Sequence, residues 1–391
     1  MSLRQTSLHP RGGFLLKALE GVRGAARRRI TVVSDGIPYE FSDLPWRKLL
    51  NVVGAELSVC FKPLRSWGMP MHLMVEPSAH CNLACALCPV TKGLERPQGH
   101  MDPALFRKLL DETGDYVFTL LFWDWGEPFV NPHAFDMIAY AKSKGVKVVS
   151  STNGHLFAQP ELADRLVRSG IDTIIFAIDG ITQETYERYR QGGKLSTALE
   201  GMRTVAARKK TLGSGTPVVN FRFIVMAHNE HEVPQVKELA PRLGADVLSF
   251  KTLNPRSMDP YGDREEADPG GGAGYLPRNT RYRRFTPDPH TGARQRLRHN
   301  PCRQLWTTPV VHWNGTVCPC AFDPREKYVL GSLQNQSFRG IWRGEAYRRL
   351  RGRFRSGWQE IPLCTDCTYA YKGGDCSRET IAVAIFYARP S

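Results

Sequence analysis

Three cysteines in one short stretch are the residues of this chain best suited to chemistry. Cys81, Cys85 and Cys88 follow the spacing C-x3-C-x2-C. Three thiolates this close together can hold three irons of a [4Fe–4S] cube, which leaves the fourth iron open for chemistry. A structural zinc site normally has four ligands, and His80 is poorly placed to be the fourth because it adjoins Cys81. A zinc or redox motif is the alternative interpretation of this spacing.

The run from His80 to Pro89 resembles the signature of radical S-adenosylmethionine (SAM) enzymes. The resemblance implies that the open iron binds the amino and carboxylate groups of SAM. It also implies that one electron from the cluster cleaves SAM to a 5′-deoxyadenosyl radical, which abstracts a hydrogen atom from the substrate. In such enzymes the cofactor carries the difficult chemistry, and the protein positions the reactants and excludes water.

Residues 124–128 (DWGEP) resemble the Gly-Gly-Glu motif of the family, with Trp125 in place of the first glycine. The resemblance implies that Gly126 and Glu127 contact the amino group of SAM, and a carboxylate makes a charge-assisted hydrogen bond to an ammonium group. The alternative is that Gly-Glu-Pro forms an ordinary turn.

Two later segments, 151–154 (STNG) and 177–180 (AIDG), resemble stretches that line the SAM site in this family. Ala177 stands where the family usually has serine, so one hydroxyl contact is missing. Arg190 is our candidate for pairing with the SAM carboxylate, because a guanidinium fork matches a carboxylate. Arg188 is the second candidate, and either arginine could instead cap a helix. The resemblance further implies SAM contacts from Ser151, Asn153 and Asp179, and more weakly from Asn229 and Glu232.

These residues need a scaffold, and apolar strands alternate with helices between residues 71 and 258. Asp102 followed by Pro103, for example, predicts a helix start. Alternating strands and helices favour a parallel sheet with right-handed crossovers, here an α/β partial (β/α)6 barrel. Function in such barrels collects at the carboxyl ends of the strands, where the cysteine loop lies. The six predicted strands are Met71–Glu76, Val117–Trp123, Val146–Ser151, Thr173–Ile178, Val218–Met226 and Asp246–Leu253.

A second cysteine group has the pattern C-x12-G-x4-C followed by C-x2-C. This pattern resembles the auxiliary-cluster domain called SPASM, in its shorter form called twitch. It implies a small cysteine-rich α+β domain at residues 300–380 with an auxiliary [4Fe–4S] cluster suited to electron transfer. A zinc knot on the same thiolates is the alternative. The four predicted ligands are Cys302, Cys320, Cys364 and Cys367.

Two cysteines remain in this region, Cys318 and Cys376. Their spacing does not complete the full SPASM pattern, so we expect one auxiliary cluster. Cys318 and Cys376 are candidate catalytic residues, because a thiol can donate a hydrogen atom to a substrate radical. The alternative is that both are buried thiols that only fill space.

Charge and composition set the remaining expectations. The net charge is +15, and residues 1–30, 276–299 and 339–355 each hold seven basic residues against one acid. Such patches favour anionic partners, although a solvated surface is the alternative. We expect a basic N-terminal extension with short helices (1–70), the barrel (71–258), a flexible basic linker (259–299), the auxiliary domain (300–380) and a tail (381–391).

The chain begins without the apolar stretch of a signal peptide, and no apolar run is long enough to span a membrane. The clustered cysteines are therefore expected to be metal ligands in the cytoplasm. A basic amphipathic helix around residues 14–19 could contact a membrane surface peripherally, with a frayed tail as the alternative.

We carry three hypotheses for the reaction. The first is oxidation of a sugar, aminocyclitol or similar small molecule, as in the twitch-bearing dehydrogenases of aminoglycoside biosynthesis that the architecture resembles. The second is redox-neutral sugar epimerisation with a cysteine as hydrogen donor. The third is modification of a peptide or protein. The family implies a flavodoxin or ferredoxin-type electron donor. A nucleic-acid-binding module is the non-enzyme alternative. Apart from Tyr282 and Phe285, the arginine patches lack the interleaved aromatic pattern of a stacking platform, so no nucleic acid is expected.

Overall fold

The structure is a computed structural model that describes residues 28–34, 36–254, 273–288, 290–374 and 376–383. The predicted helix around residues 14–19 and its membrane contact lie outside the described residues, as do residues 259–272 of the predicted flexible linker and the tail from residue 384.

Six parallel strands form the centre of the molecule, and each coincides with a predicted strand. They lie in chain order, each hydrogen-bonded to the next. Their inward and outward faces are both covered, which explains their continuous apolar sequences. The predicted partial barrel is confirmed. The strands are β3 (His72–Val75), β4 (Thr119–Leu121), β5 (Lys147–Thr152), β6 (Thr173–Ala177), β7 (Val218–Val225) and β8 (Val247–Thr252).

Helices connect and cover these strands. Asp102 accepts hydrogen bonds from the backbone of residues 104 and 105, as a helix N-cap does. The helices are α1 (Trp46–Phe61), α2 (Pro89–Lys92), α3 (Pro103–Thr113), α4 (Ala134–Ser143), α5 (Pro160–Arg168), α6 (Gln183–Tyr189), α7 (Leu195–Thr211), α8 (Val233–Arg242), α9 (Gln304–Thr307), α10 (Phe338–Arg343), α11 (Glu345–Gly357) and α12 (Pro362–Thr365). Short 3₁₀ helices lie at Pro128–Val130, His155–Ala158, Glu230–Glu232, Ala273–Tyr275, Thr280–Tyr282, Trp358–Glu360 and Thr368–Ala370.

The C-terminal region completes both edges of the barrel sheet. On one side β9 (Val310–Val311) pairs in parallel with β3, and β10 (Thr316–Cys318) and β11 (Gly331–Ser332) continue antiparallel from it. On the other side β12 (Ser377–Ala382) pairs antiparallel with β8. The result is one ten-stranded sheet in which both barrel edges are paired.

The segment before the barrel contains a β-hairpin as well as α1, which is one of the short helices expected there. Strands β1 (Ile30–Ser34) and β2 (Ile37–Phe41) pair antiparallel. Tyr39 is buried, and its hydroxyl lies 2.7 Å from Oγ1 of Thr173 at the start of β6. The hairpin therefore packs against the amino ends of the barrel strands. Within the ranges that the structure describes, we find no helix long and apolar enough to cross a membrane.

Candidate active site and second cysteine site

The loop after β3 carries the first cysteine group and is fixed against the end of α6. The backbone N–H of Ala84 donates to the carbonyl of Gln191 at 3.0 Å, and that of Ala86 donates to Tyr189 at 2.9 Å. These two backbone hydrogen bonds therefore hold the cysteine loop at the carboxyl end of the sheet, where the family resemblance places it.

The thiols of this loop suit a cationic cluster. Burial, together with the neighbouring Cys85, raises the pKa of Cys81 to about 11 and that of Cys88 to about 12. Thiolates in such a place are unfavourable without a compensating positive charge, and metal ligands must be deprotonated. The donor set fits an iron–sulfur cluster held by Cys81, Cys85 and Cys88.

Gly126 and Glu127 pack directly against the entrance to the cysteine loop. Gly126 has φ +107°, and a Cβ at this position would lie 2.3 Å from the carbonyl oxygen of Ser78. The backbone N–H of Glu127 donates to the carbonyl of His80 at 2.8 Å. Only glycine allows this close approach, which brings the buried Glu127 carboxylate beside the first cysteine.

Asn153 connects the third barrel strand to the same loop. Its backbone N–H donates to Oε2 of Glu127 at 2.9 Å, and its Nδ2 donates to Oδ1 of Asn82 at 2.6 Å. Nδ2 also lies 4.0 Å from Sγ of Cys81. Ser151 is half-buried at the carboxyl end of β5, two residues earlier. The structure thus brings Glu127 and Asn153 together at the first cysteine group.

Arg190 lies between the fourth barrel strand and the cysteine loop. Its Nε and Nη2 donate to Oδ2 of Asp179 at 2.7 and 2.6 Å, and its Nη1 lies 3.7 Å from Sγ of Cys85. The other carboxylate oxygen of Asp179 accepts from the N–H of Ile224 at 2.6 Å. Arg188 is exposed on α6, so the geometry favours Arg190 for the SAM site.

The two weaker candidates brace the Asp179 segment. Asn229 is buried, and its Nδ2 donates to the carbonyl of Asp179 at 3.0 Å. Glu232 is also buried and accepts from the hydroxyl of Thr185 at 2.6 Å and from the N–H of Ile181 at 3.1 Å. Both side chains hold the loop after β6, so they support the site through its backbone.

The second cysteine group converges on one largely apolar pocket. Burial and the neighbouring cysteines raise the pKa of Cys320 well above its ordinary value, and burial raises that of Cys302. Four cysteine thiols around one pocket are a donor set that fits a fully ligated iron–sulfur cluster. Cys302, Cys320, Cys364 and Cys367 all line this pocket.

The two remaining cysteines lie in different surroundings. Cys318 is fully buried in β10, and its sulfur lies 3.9 Å from Nδ1 of His312. Cys376 is exposed, and its carbonyl accepts a 2.9 Å hydrogen bond from the N–H of Thr252, the last residue of β8. Cys376 therefore lies at the same end of the sheet as the cysteine loop, whereas Cys318 is enclosed in the C-terminal domain.

Sequence reasoning missed a buried charged cluster that joins the two cysteine sites. His312, in the hairpin before Cys318, lies between two carboxylates, with Nδ1 2.9 Å from Oε1 of Glu326 and Nε2 3.2 Å from Oδ2 of Asp124. Arg96 extends the cluster, 2.5 Å from Oε1 of Glu76 and 3.8 Å from Glu326. These acids raise the pKa of His312 well above its ordinary value despite burial. The only sequence signal was the position of Asp124 beside the Gly-Glu motif.

Comparison with known proteins agrees with this geometry. The Radical SAM superfamily model matches residues 75–240, and the iron-sulfur cluster-binding SPASM domain matches residues 302–368. A tungsten-containing aldehyde ferredoxin oxidoreductase cofactor-modifying protein of Pyrococcus furiosus is 25% identical over 76% of this chain and 87% of its own. The mycofactocin maturase MftC of Mycobacterium tuberculosis is 26% identical over 73% of this chain and 74% of its own.

Solved structures share the fold. Streptococcus suis SuiB bound to S-adenosylmethionine superimposes with a TM-score of 0.54 at 14% identity, over 90% of this chain and 83% of its own. The protein anSMEcpe with bound AdoMet gives a TM-score of 0.51 at 13% identity, over 79% of this chain and 93% of its own. The predicted cofactors, [4Fe–4S] clusters and SAM, are those of the matched domains. The chain therefore carries a Radical SAM domain followed by a C-terminal SPASM iron–sulfur domain, as the sequence predicted.

Proposed function

We propose that this radical SAM enzyme oxidises a C–H bond next to a hydroxyl group in a sugar, an aminocyclitol or a related small molecule. One observation carries the proposal: a second set of four cysteines lines its own pocket, separate from the three of the loop. Four thiolates leave no iron open for substrate, so this site suits electron transfer. An electron acceptor is needed for an oxidation and has no part in a redox-neutral reaction.

The chemistry divides between the cofactors and the chain. When bound, the first cluster and SAM supply the hydrogen-abstracting radical, and the second cluster accepts one electron. A hydroxyl-bearing carbon that becomes a carbonyl loses one hydrogen atom, one electron and one proton in total. A flavodoxin or ferredoxin-type protein would supply the electron that starts each cycle.

The residues of the chain bind and orient SAM in this proposal. Glu127 offers a buried carboxylate for the amino group, and Arg190 offers a guanidinium for the carboxylate. Asn153 fixes Glu127 through its backbone N–H and reaches towards Cys81 with its amide. Because Gly126 has no side chain, the segment that carries Glu127 can lie close to the cysteine loop, so that these residues and the cluster can contact the same SAM molecule.

Epimerisation is less well supported by the positions of the spare thiols. A hydrogen donor must reach the substrate radical, and Cys318 is fully buried beside His312. Cys376 remains the candidate, because it is exposed at the rim where β8 ends. The epimerase hypothesis therefore depends on Cys376 alone.

Peptide modification is the second candidate function, and the relatives favour it. MftC is named a maturase, and a Bacillus subtilis relative is named the antilisterial bacteriocin subtilosin biosynthesis protein AlbA. The site with four cysteines would serve the oxidation of a peptide equally well, because the number of electrons to be removed from the substrate is the same. The two candidates differ in substrate size rather than in redox chemistry.

The test combines product mass with isotope incorporation. Reduced enzyme and SAM would be incubated in D₂O with panels of sugars, aminocyclitols and peptides, and 5′-deoxyadenosine would be counted against product. An oxidised small molecule, lighter by two hydrogens with one 5′-deoxyadenosine per turnover, supports the proposal. A product of unchanged mass apart from one deuterium, lost in Cys376→Ala, would establish an epimerase instead. Oxidation confined to peptides would establish the maturase.

A further inference from the structure

The outer face of α1 carries a continuous stripe of large apolar side chains. Trp46, Leu50, Val53, Leu57 and Phe61 are 60%, 69%, 53%, 36% and 63% exposed. At about 100° per residue they fall within a sector about 80° wide along the whole helix. An amphipathic helix normally turns such a stripe towards the core, but here it points outwards.

The stripe and the turn after it together hold most of the large apolar side chains that are exposed among the described residues. Seven of the ten large apolar side chains that are exposed in the described part of the chain lie on α1 or in the turn after it. Leu64 and Trp67 are the two in the turn, and the Trp67 ring centroid lies 5.8 Å from that of Phe61. Scattered apolar residues are normal on a surface, whereas a contiguous patch marks an interaction site.

The opposite face of α1 fixes the helix to the amino ends of the barrel strands. Leu49 and Ala55 are buried in a cluster with Met71 and Phe118, which precede β3 and β4. The Nδ2 of Asn51 donates to the carbonyl of Met69 at 3.1 Å. The apolar stripe is therefore held outwards at the end of the barrel opposite the cysteine loop, so it does not belong to the active site.

Basic residues border the stripe. Leu64 shares a surface groove with Arg65, Arg348 and Arg349, and Glu345 is the one acid there. At the other end of the stripe, Arg28 lies beside the start of α1, and its Nε donates to the carbonyl of Leu44 at 2.9 Å, two residues before the helix. The apolar stripe thus has arginines beside both of its ends.

We infer that this face of α1 binds the surface of an anionic lipid bilayer. Helices that lie in a membrane interface present Trp, Phe and Leu to the acyl region and place Lys or Arg beside them. Anionic headgroups attract the flanking arginines, and tryptophan rings are favoured at headgroup depth. Docked this way, the enzyme would be held peripherally with its active-site mouth facing away from the bilayer. The inference is independent of the proposed substrate.

The test is flotation of the reconstituted holoenzyme with vesicles of phosphatidylcholine, with or without phosphatidylglycerol. We expect the wild type to float with the anionic vesicles, less so at high salt, and to bind neutral vesicles at least about tenfold more weakly. The double variant Leu50→Glu/Phe61→Glu should reduce binding to anionic vesicles by about tenfold or more. Val329→Glu, at an exposed valine outside the stripe, should bind like the wild type.

Melting temperature and iron content would show that each variant is folded. Quenching of tryptophan fluorescence by brominated lipid, reduced in Trp46→Phe, would locate the helix at the interface. Full binding by the double variant would overturn the inference, because charge elsewhere would then carry the attachment. Absence of wild-type binding would also overturn it. A dimer in light scattering that the double variant dissociates, without vesicle binding, would assign the stripe to a second copy of the chain.

Discussion

Asp124 of the barrel and His312 of the C-terminal domain meet in the protein interior, with Oδ2 and Nε2 3.2 Å apart. Asp124 begins the DWGEP segment that continues to Glu127, and His312 lies eight residues before the cluster candidate Cys320. Their side chains are 3% and 0% exposed. The contact therefore ties the predicted SAM-binding segment to the domain that carries the second cysteine site.

We predict that His312→Ala destabilises the protein by roughly 3 kcal/mol, because it leaves Asp124 and Glu326 buried without their shared partner. The pKa of His312 is raised in the folded state, so its contribution is complete at pH below its unfolded value and is lost as pH rises through the folded value. The stability difference between wild type and His312→Ala, measured by urea unfolding, should therefore shrink at alkaline pH. A difference that grows with pH would contradict this assignment.

Gly126→Ala should disrupt the first cysteine site. A Cβ there would lie 2.3 Å from the Ser78 carbonyl, and this oxygen belongs to the backbone, which leads into the cysteine loop. We expect SAM binding to weaken at least about tenfold, with a stability loss of roughly 2 kcal/mol or more. Gly93→Ala is the matched control, because Gly93 has φ +95° but no heavy atom within 4 Å of a Cβ. Equal effects of the two substitutions would mean that backbone strain alone is responsible.

Arg190→Lys should weaken SAM binding by about tenfold. Lysine cannot reproduce the guanidinium fork that bonds Asp179 while Nη1 lies near Cys85. Arg188→Lys, two residues away on the exposed face of α6, should bind SAM like the wild type. Equilibrium binding to the reconstituted enzyme separates the two arginines. A larger loss from Arg188→Lys would transfer the role to the second candidate.

We predict that SAM binding depends on pH, because the pKa of the Glu127 carboxyl is raised. Burial raises the pKa of its carboxyl to about 7, so the carboxylate needed for the SAM ammonium is lost as pH falls through that value. The affinity for SAM should therefore rise between about pH 6 and 8, and Glu127→Gln should bind weakly with little change across this range. Titration of both proteins at several pH values checks the sign. A wild-type affinity that falls with rising pH would exclude this role for Glu127.

Much of the fold could be predicted because its signals are local. Each barrel strand is a short apolar run, and Asp102 with Pro103 marks a helix start within a few residues. The hairpin at Ile30–Phe41 was missed, although Ile37, Tyr39 and Phe41 alternate with polar or exposed positions. The pairing of β12 with β8 joins segments more than a hundred residues apart, and nothing in either segment specifies its partner.

The candidate site likewise has features that could be predicted from local sequence and features that could not. The cysteine spacings and the Gly-Glu pair were visible because their chemistry depends on residues close in sequence. The His312 cluster combines five residues that lie apart in the sequence, and a histidine or glutamate alone gives no sign of the neighbours that folding will bring to it. A buried cluster of charged residues that are distant in sequence could therefore be found only in the structure.

Iron and sulfide analysis of anaerobically reconstituted protein would show whether the chain holds two clusters, of which the first is needed to cleave SAM. The wild type should hold about eight irons and cleave SAM after dithionite reduction. The triple variant Cys81→Ala/Cys85→Ala/Cys88→Ala should hold about four irons and cleave no SAM. The double variant Cys364→Ala/Cys367→Ala should also lose about four irons, but it should retain some SAM cleavage. Cys318→Ala is the control and should keep all of its iron. About four irons in the wild type and none in the triple variant, with zinc bound, would contradict the account, because the second cysteine site would then be a zinc knot without a redox role.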